Sequence, residues 1–240
     1  PGVIDSEQGN SITGGALTYN DKRNFVADIQ QHCPVPVTIE NDAKCAALAE
    51  AWKGSLVGCK NGVVVVLGTA VGGGIFLNGQ LYKGSHFAAG ELSFLLTDSW
   101  HAKGEPYHYW GHDGGSRGLC RAVEHIKRLP PKSVNGQQVF AWANEGDADV
   151  CEALDAYTYR LAMQFFNLQS LFDPDIIAIG GGISAQPLLL QYIEQNMIYL
   201  EQNLPMHLTI PKVVRCHFMN DANLVGALRH HLQITETPVP

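Results

Sequence analysis

Apolar residues recur along this chain in two rhythms, and the rhythm changes at glycine, proline and aspartate. Between Ala148 and Phe172 the positions Val150, Leu154, Tyr157, Leu161, Phe165, Leu168 and Phe172 fall 4, 3, 4, 4, 3 and 4 residues apart. That spacing is one face of a long helix. Asp147 is placed to cap it, and Asp173-Pro174 to stop it. Cys45, Leu48, Ala49 and Trp52 repeat the helical rhythm over Asp42 to Val57, with Gly54 and Gly58 at its end. Val63–Leu67 and Ile176–Ile179 are apolar at every position, as strands covered on both faces must be. Gly73–Leu77 and Gln80–Lys83 flank Asn78-Gly79, a strong two-residue hairpin signal.

Weaker patterns fill the rest. Val3–Asp5 and Ser11–Thr13 read as strand fragments separated by Gly9, Lys22–Gln31 as a short helix, and Val35–Ile39 as a strand. Helices are predicted near Ser116–Arg128, Gln137–Asn144, Pro187–Asn203 and Asp221–Leu232, and a strand over Leu208–Cys216. Thr97–Asp113 is irregular and rich in aromatics and histidines. Strands and helices alternate, which implies an α/β architecture.

Composition narrows the function. The 240 residues suit one large domain or two modest ones, and 45% hydrophobic content supports a real core. A net charge of −7 argues against a broad nucleic-acid footprint, which needs clustered Lys and Arg. No stretch approaches a membrane span, and no signal peptide is visible. The chain starts at Pro1 without Met, so a native start upstream is expected. The six cysteines are scattered with no C-x-x-C pair, as expected of reduced core thiols in a cytoplasmic protein.

Two segments carry the chemistry. Ile39-Glu40-Asn41-Asp42-Ala43 puts a carboxylate where an apolar run meets a helix, and Glu40, Asn41 and Asp42 could equally serve as helix caps. Val63–Leu67 runs into Gly68-Thr69-Ala70-Val71-Gly72-Gly73-Gly74. This lacks both the Gly-Lys-Ser/Thr ending of a phosphate loop and the G-x-G-x-x-G spacing. Strand, Gly-Thr turn, glycine run and strand is the layout of a phosphate-binding hairpin, in which backbone N–H groups approach an anion and Thr69 adds a hydroxyl. A plain bulged hairpin accounts for the pattern as well. A carboxylate and a phosphate cradle are what phosphoryl transfer to a hydroxyl needs. Gly180-Gly181-Gly182 follows the second buried strand. It would admit a flat ligand, or merely tight strand–helix packing. Glu91 stands among small residues in Ala88-Ala89-Gly90-Glu91-Leu92, either facing something polar or on the surface. His108-x-x-x-His112 suggests zinc, but Gly111 weakens a helix there and Cys120 is the lone nearby thiol, so no metal site is expected.

Together these pieces resemble the ROK family of sugar kinases and related repressors. Pro1-Gly2-Val3-Ile4-Asp5 with Gly9 resembles the family's P-G-x-V-D-x-x-x-G. Glu40-Asn41-Asp42-Ala43 with Ala46-Ala47-Leu48-Ala49-Glu50 resembles E-N-D-A-N-x-A-A-L-A-E. Leu67-Gly68-Thr69 with Gly72-Gly73-Gly74 and Asn78-Gly79 resembles L-G-T-G-I-G-G-G and its N-G pair. Gly84 with Ala89-Gly90-Glu91 is similar to G-x-x-G-x-A-G-E, and Asp173-Pro174-Asp175 with Ile179-Gly180-Gly181-Gly182 to D-P-x-x-I-x-x-G-G. Asp221–Ala227 resembles the family's last helix. The order holds over nearly the whole chain.

The resemblance implies an actin-like ATPase (ribonuclease-H-like) α/β fold with a large domain and an incomplete small one. Residues 1–40 with the C-terminal helix 220–240 would be a remnant of the small domain, 41–219 the large domain, with hinges near Asp42 and Asn220. It implies ATP with Mg2+, Asp42 as the base, Asn41 and Glu91 on sugar hydroxyls, Gly68, Thr69, Gly72 and Gly73 on phosphates, and Gly180, Gly181 and Gly182 on the adenosine. A homodimer is expected. Two departures matter. Phe94 stands where the family often has a histidine, and the family's Cys-x-Cys-Gly-x-x-Gly-Cys zinc loop is absent, which resembles the zinc-free branch that includes β-glucoside kinases. The D-x-G-G-T that opens the family pattern is also not in these residues, so this chain by itself is expected to be inactive. The implied function is ATP-dependent phosphorylation of a glucose-type sugar or β-glucoside; the alternative is the ligand-sensing, dimerising part of a sugar-responsive repressor.

Overall fold

In the computed structural model, which describes residues 1–98, 102–205 and 209–235, helices and strands alternate as the sequence predicts. The chain opens with three two-residue strands, β1 (Ile4–Asp5), β2 (Asn10–Ser11) and β3 (Arg23–Asn24), paired antiparallel in that order. α1 (Phe25–Gln30) follows, its first turn capped by the Asn24 side chain. Then come α2 (Asp42–Lys53), β4 (Gly62–Leu67), β5 (Val71–Leu77) and β6 (Gln80–Leu81). After them are α3 (Trp110–Asp113), α4 (Ser116–Ile126), α5 (Gly136–Asn144), α6 (Ala148–Phe172), β7 (Ile176–Gly180), α7 (Pro187–Asn203), β8 (Val213–Arg215) and α8 (Ala222–Thr235). A five-stranded sheet has the order β6-β5-β4-β7-β8, with β5/β6 antiparallel and β7/β8 parallel.

Two compact units divide the chain. The first combines Pro1–Val64, Gly73–Glu91 and the chain from Cys216 onward. Its centre is α2 against α8. Residues 43–50 of α2 are buried in succession, so this helix is enclosed on all sides rather than along one stripe. The two helices meet so closely that a Cβ on Gly226 would overlap the Cys45 carbonyl. The helix ends at Lys53 rather than at the expected Val57, because both Gly54 N–H and Leu56 N–H donate to the Glu50 carbonyl. The Glu50 carboxylate, fully buried, accepts from Ser55 N–H and Oγ and from the N–H groups of His217 and Phe218.

The second unit combines Val65–Gly72 and Leu92–Arg215. Its spine is α6, capped by Asp147 at its start and closed by Asp173 in the left-handed region (φ +42°), as its flanking residues predict. Val150, Leu154, Tyr157, Leu161, Phe165 and Leu168 form its buried face. α4, α5 and α7 pack against it. The Tyr157 hydroxyl, enclosed with its ring, donates to the Gly114 carbonyl at 2.7 Å.

Three further expectations are corrected. Val35–Ile39 forms no strand: Pro34 and Pro36 have no N–H to give a ladder, and Val35 is 52% exposed. The strand expected over Leu208–Cys216 is limited to Val213–Arg215; Pro211 interrupts its approach, and Leu208 lies outside the described residues. Within the irregular stretch, Trp110–Asp113 makes one helical turn despite Gly111.

Candidate functional site

The first unit gathers the predicted acceptor-side residues around the start of α2. Asp42 is the first helical residue, and its side chain is 56% exposed. Among the described residues, its Oδ1 accepts one hydrogen bond, from the adjacent Ala43 N–H at 3.0 Å, so most of the carboxylate's lone pairs stay open. Asn41, by contrast, is buried. Its Oδ1 accepts from Ala43 and Lys44 N–H, and its Nδ2 donates to the Gly2 carbonyl at 2.8 Å. The second amide hydrogen has no partner among the described residues. Glu40 is held by Asn41 N–H at 2.9 Å and by Lys83 Nζ at 2.9 Å, and Lys83 reaches on to Ser6 Oγ.

Glu91 arrives from the loop after β6. Gly84 (φ +72°) and Gly90 (φ +85°) fold that loop tightly, and a side chain on Gly90 would press on Gly73 and Gly74. Lys44 anchors the loop from beneath: its Nζ donates to the Phe87 carbonyl at 2.6 Å and lies 3.7 Å from Glu91 Oε1. The Lys44 side chain is 1% exposed and that of Glu91 18%. Burial lowers the lysine's pKa and raises the glutamate's, while each charge favours the other. Lys44 was not among the residues singled out from the sequence. The available signal is a mismatch, since it occupies the second asparagine of E-N-D-A-N.

The second unit holds Gly68 to Gly72 and the run Gly180 to Gly182, while Gly73 and Gly74 belong to the first. Gly68 follows β4, and its carbonyl accepts from both N–H and Oγ of Ser116, the first residue of α4. Gly115, the N-cap of α4, lies so close to Thr69 and Ala70 that a Cβ would clash with both. A helix start beside a Gly-Thr turn is a favourable environment for an anion. The two members of the second glycine run that can be compared differ in kind. Gly181 has φ +90° and packs on the Leu67 backbone, where a Cβ would sit 2.3 Å from the carbonyl oxygen; strand packing requires this glycine. A Cβ on Gly182 would meet nothing within 4 Å, so packing gives no reason for it and the space beside it is open. Gly74, next to the predicted phosphate residues Gly72 and Gly73, is likewise a packing glycine, pressed against Ala47.

The histidine stretch is occupied locally. His112 Nδ1 is 2.6 Å from Asp113 Oδ1, and His108 Nδ1 is 3.9 Å from the other oxygen of that carboxylate. Among the described residues, no group of three or more His, Cys, Asp or Glu is placed to hold a metal ion. No described helix is long and apolar enough to cross a membrane.

Comparison with known proteins supplies the context. The ROK family profile matches residues 1–233. The chain is 33% identical over 241 residues to a β-glucoside kinase of Klebsiella pneumoniae, covering 99% of this chain and 78% of the relative. It is 30% identical over 233 residues to a β-glucoside kinase of Listeria monocytogenes, covering 97% and 77%. The crystal structure of a ROK family protein from Streptococcus pneumoniae in complex with sucrose superposes with a TM-score of 0.85 at 27% identity, over 97% of this chain and 78% of that one.

Proposed function

The chain belongs to the ROK family, and from that premise we propose that it serves ATP-dependent phosphorylation of a sugar hydroxyl, on a glucose-type sugar or a β-glucoside. The observation that carries this reading is the start of α2: an exposed carboxylate, Asp42, beside a second carboxylate, Glu91, that a buried lysine holds in place. Asp42 is the general base, taking the hydroxyl proton as the oxygen attacks the terminal phosphorus of ATP. The bond from that phosphorus to the bridging oxygen breaks, and ADP leaves. Glu91 accepts hydrogen bonds from sugar hydroxyls, and the remaining amide hydrogen of Asn41 is available to donate one.

On the nucleotide side, Gly68, Thr69, Gly72 and Gly73 offer backbone N–H groups and one hydroxyl to the phosphates. The open space at Gly182 suits the adenosine, with Gly180 and Gly181 forming its backing. Mg2+ would arrive with ATP, held largely by the nucleotide's phosphates and water. Chemistry of this kind rests on positioning and charge stabilisation. A homodimer accords with the exposed Leu171 on α6 and Ile198 and Tyr199 on α7, and the cytoplasm is its expected location. The repressor alternative has less support, since both relatives above carry kinase names.

Phe94 bears on the acceptor. Phe94 is 69% exposed, and its ring can neither donate nor accept where the family often has histidine. A site that makes no hydrogen bond to a hydroxyl loses little when that hydroxyl carries a substituent. The test is ADP release by the protein as its gene encodes it, with cellobiose or glucose as acceptor. Cellobiose is expected to react at least as well as glucose. A clear preference for glucose would remove the β-glucoside assignment, and no ADP from a panel of sugars would remove the kinase assignment.

A further inference from the structure

We propose that Lys44 is a positioning residue that fixes the Glu91 carboxylate in its ionised, hydrogen-bond-accepting form and thereby sets the acid limit of sugar binding. The proposal rests on the reading of Glu91 as a sugar-binding residue. A lysine as enclosed as Lys44 is rare, because the ammonium loses its hydration. Packing alone would be met by Leu or Met at lower cost. The charge therefore has work at its tip, and the tip has two partners. One is the Phe87 carbonyl, at 2.6 Å, on a residue held in the left-handed region at φ +58°. The other is Glu91 Oε1, at 3.7 Å. The lysine thus grips the loop at one residue and the carboxylate four positions later.

The surrounding charges show why Glu91 needs it. Burial and the negative charge of Asp42 both push the Glu91 pKa upward, and Lys44 opposes them. Burial lowers the Lys44 pKa and the charge of Lys83 adds to that, while Glu91 and Glu40 favour the charged lysine. A protonated Glu91 would present a donor to a hydroxyl that the anion receives as an acceptor. Removing the lysine's charge should therefore carry the Glu91 pKa upward. Sugar binding that depends on the anion is present above that pKa and is lost as pH falls through it, so the loss should begin at higher pH.

The experiment measures kcat/KM for the sugar against pH, at saturating ATP, in the protein as its gene encodes it. Wild type is compared with Lys44→Met, Glu91→Gln and the double variant. Lys44→Met is expected to move the Glu91-dependent acid limb upward by about one pH unit or more, the size of effect that an opposite charge at this range exerts. On the acid side this appears as a roughly tenfold loss, with the deficit shrinking at higher pH. Glu91→Gln is expected to abolish that component, and Lys44→Met added to it should move the profile no further. Lys44→Gln keeps a donor for the Phe87 carbonyl without the charge and should shift the limb likewise; it serves if the methionine variant does not fold. A loss independent of pH, or one that multiplies with that of Glu91→Gln, would overturn the role of Lys44 alone. A Glu91→Gln protein with unchanged sugar KM would overturn the reading of Glu91, and the proposal with it.

Discussion

Asn41 and Asp42 are neighbours in sequence with opposite fates. Asn41 is committed to the fold by three hydrogen bonds, whereas Asp42 stands half in solvent with a single bond to its own helix. Asp42→Asn should lower kcat by 100-fold or more, a usual size for removal of a general base, with sugar KM changing much less. Steady-state kinetics of the protein as its gene encodes it decide the matter; near-normal kcat would exclude the role. Asp42 could be singled out from its motif because a helix start is a local feature. The capping bonds of Asn41 are local and were legible as well; its bond to the Gly2 carbonyl was not, because that partner lies far away in sequence. Lys44 ran against its own polarity: nothing in a one-dimensional pattern says that a lysine will be enclosed.

Among the elements, those stabilised by their own residues were the ones read accurately. α6 and α7 begin and end where periodicity, caps and proline place them. β8 and the missing strand at 35–39 depend on pairing partners and on proline's lack of a donor, so their extents did not follow from apolar content. The glycine runs show the same division. Sequence marked them as one kind of feature, but Gly181 and Gly74 are demanded by packing, while Gly182 is left without a structural reason. Gly181→Ala should destabilise the protein by about 1–3 kcal/mol, the cost of holding a side chain in that backbone region, with any overlap with Leu67 adding to it. Gly182→Ala should stay within about 0.5 kcal/mol of wild type while raising KM for ATP. Urea unfolding and ATP titration separate the two; equal losses of stability would refute the distinction.

At the scale of the whole molecule, the scattered cysteines sort by depth. Cys45, Cys120 and Cys216 are buried, whereas Cys33, Cys59 and Cys151 are partly exposed. Burial pushes the Cys45 thiol up to about 12 and raises that of Cys216 beside the Glu50 carboxylate, and that of Cys120. Only thiolates react readily, so a disulfide reagent near neutral pH should modify no more than the three shallow thiols quickly, and all six after denaturation. Rapid reaction of all six in the native protein would show the core to be open. The contact of Gly226 with the Cys45 carbonyl has a consequence for biosynthesis. The second unit is complete once Arg215 has left the ribosome, but α2, made long before, lacks the cover of α8 until that helix emerges. The nascent chain therefore finishes its middle before its beginning, and during that interval the small apolar residues of α2 are what a chaperone would hold.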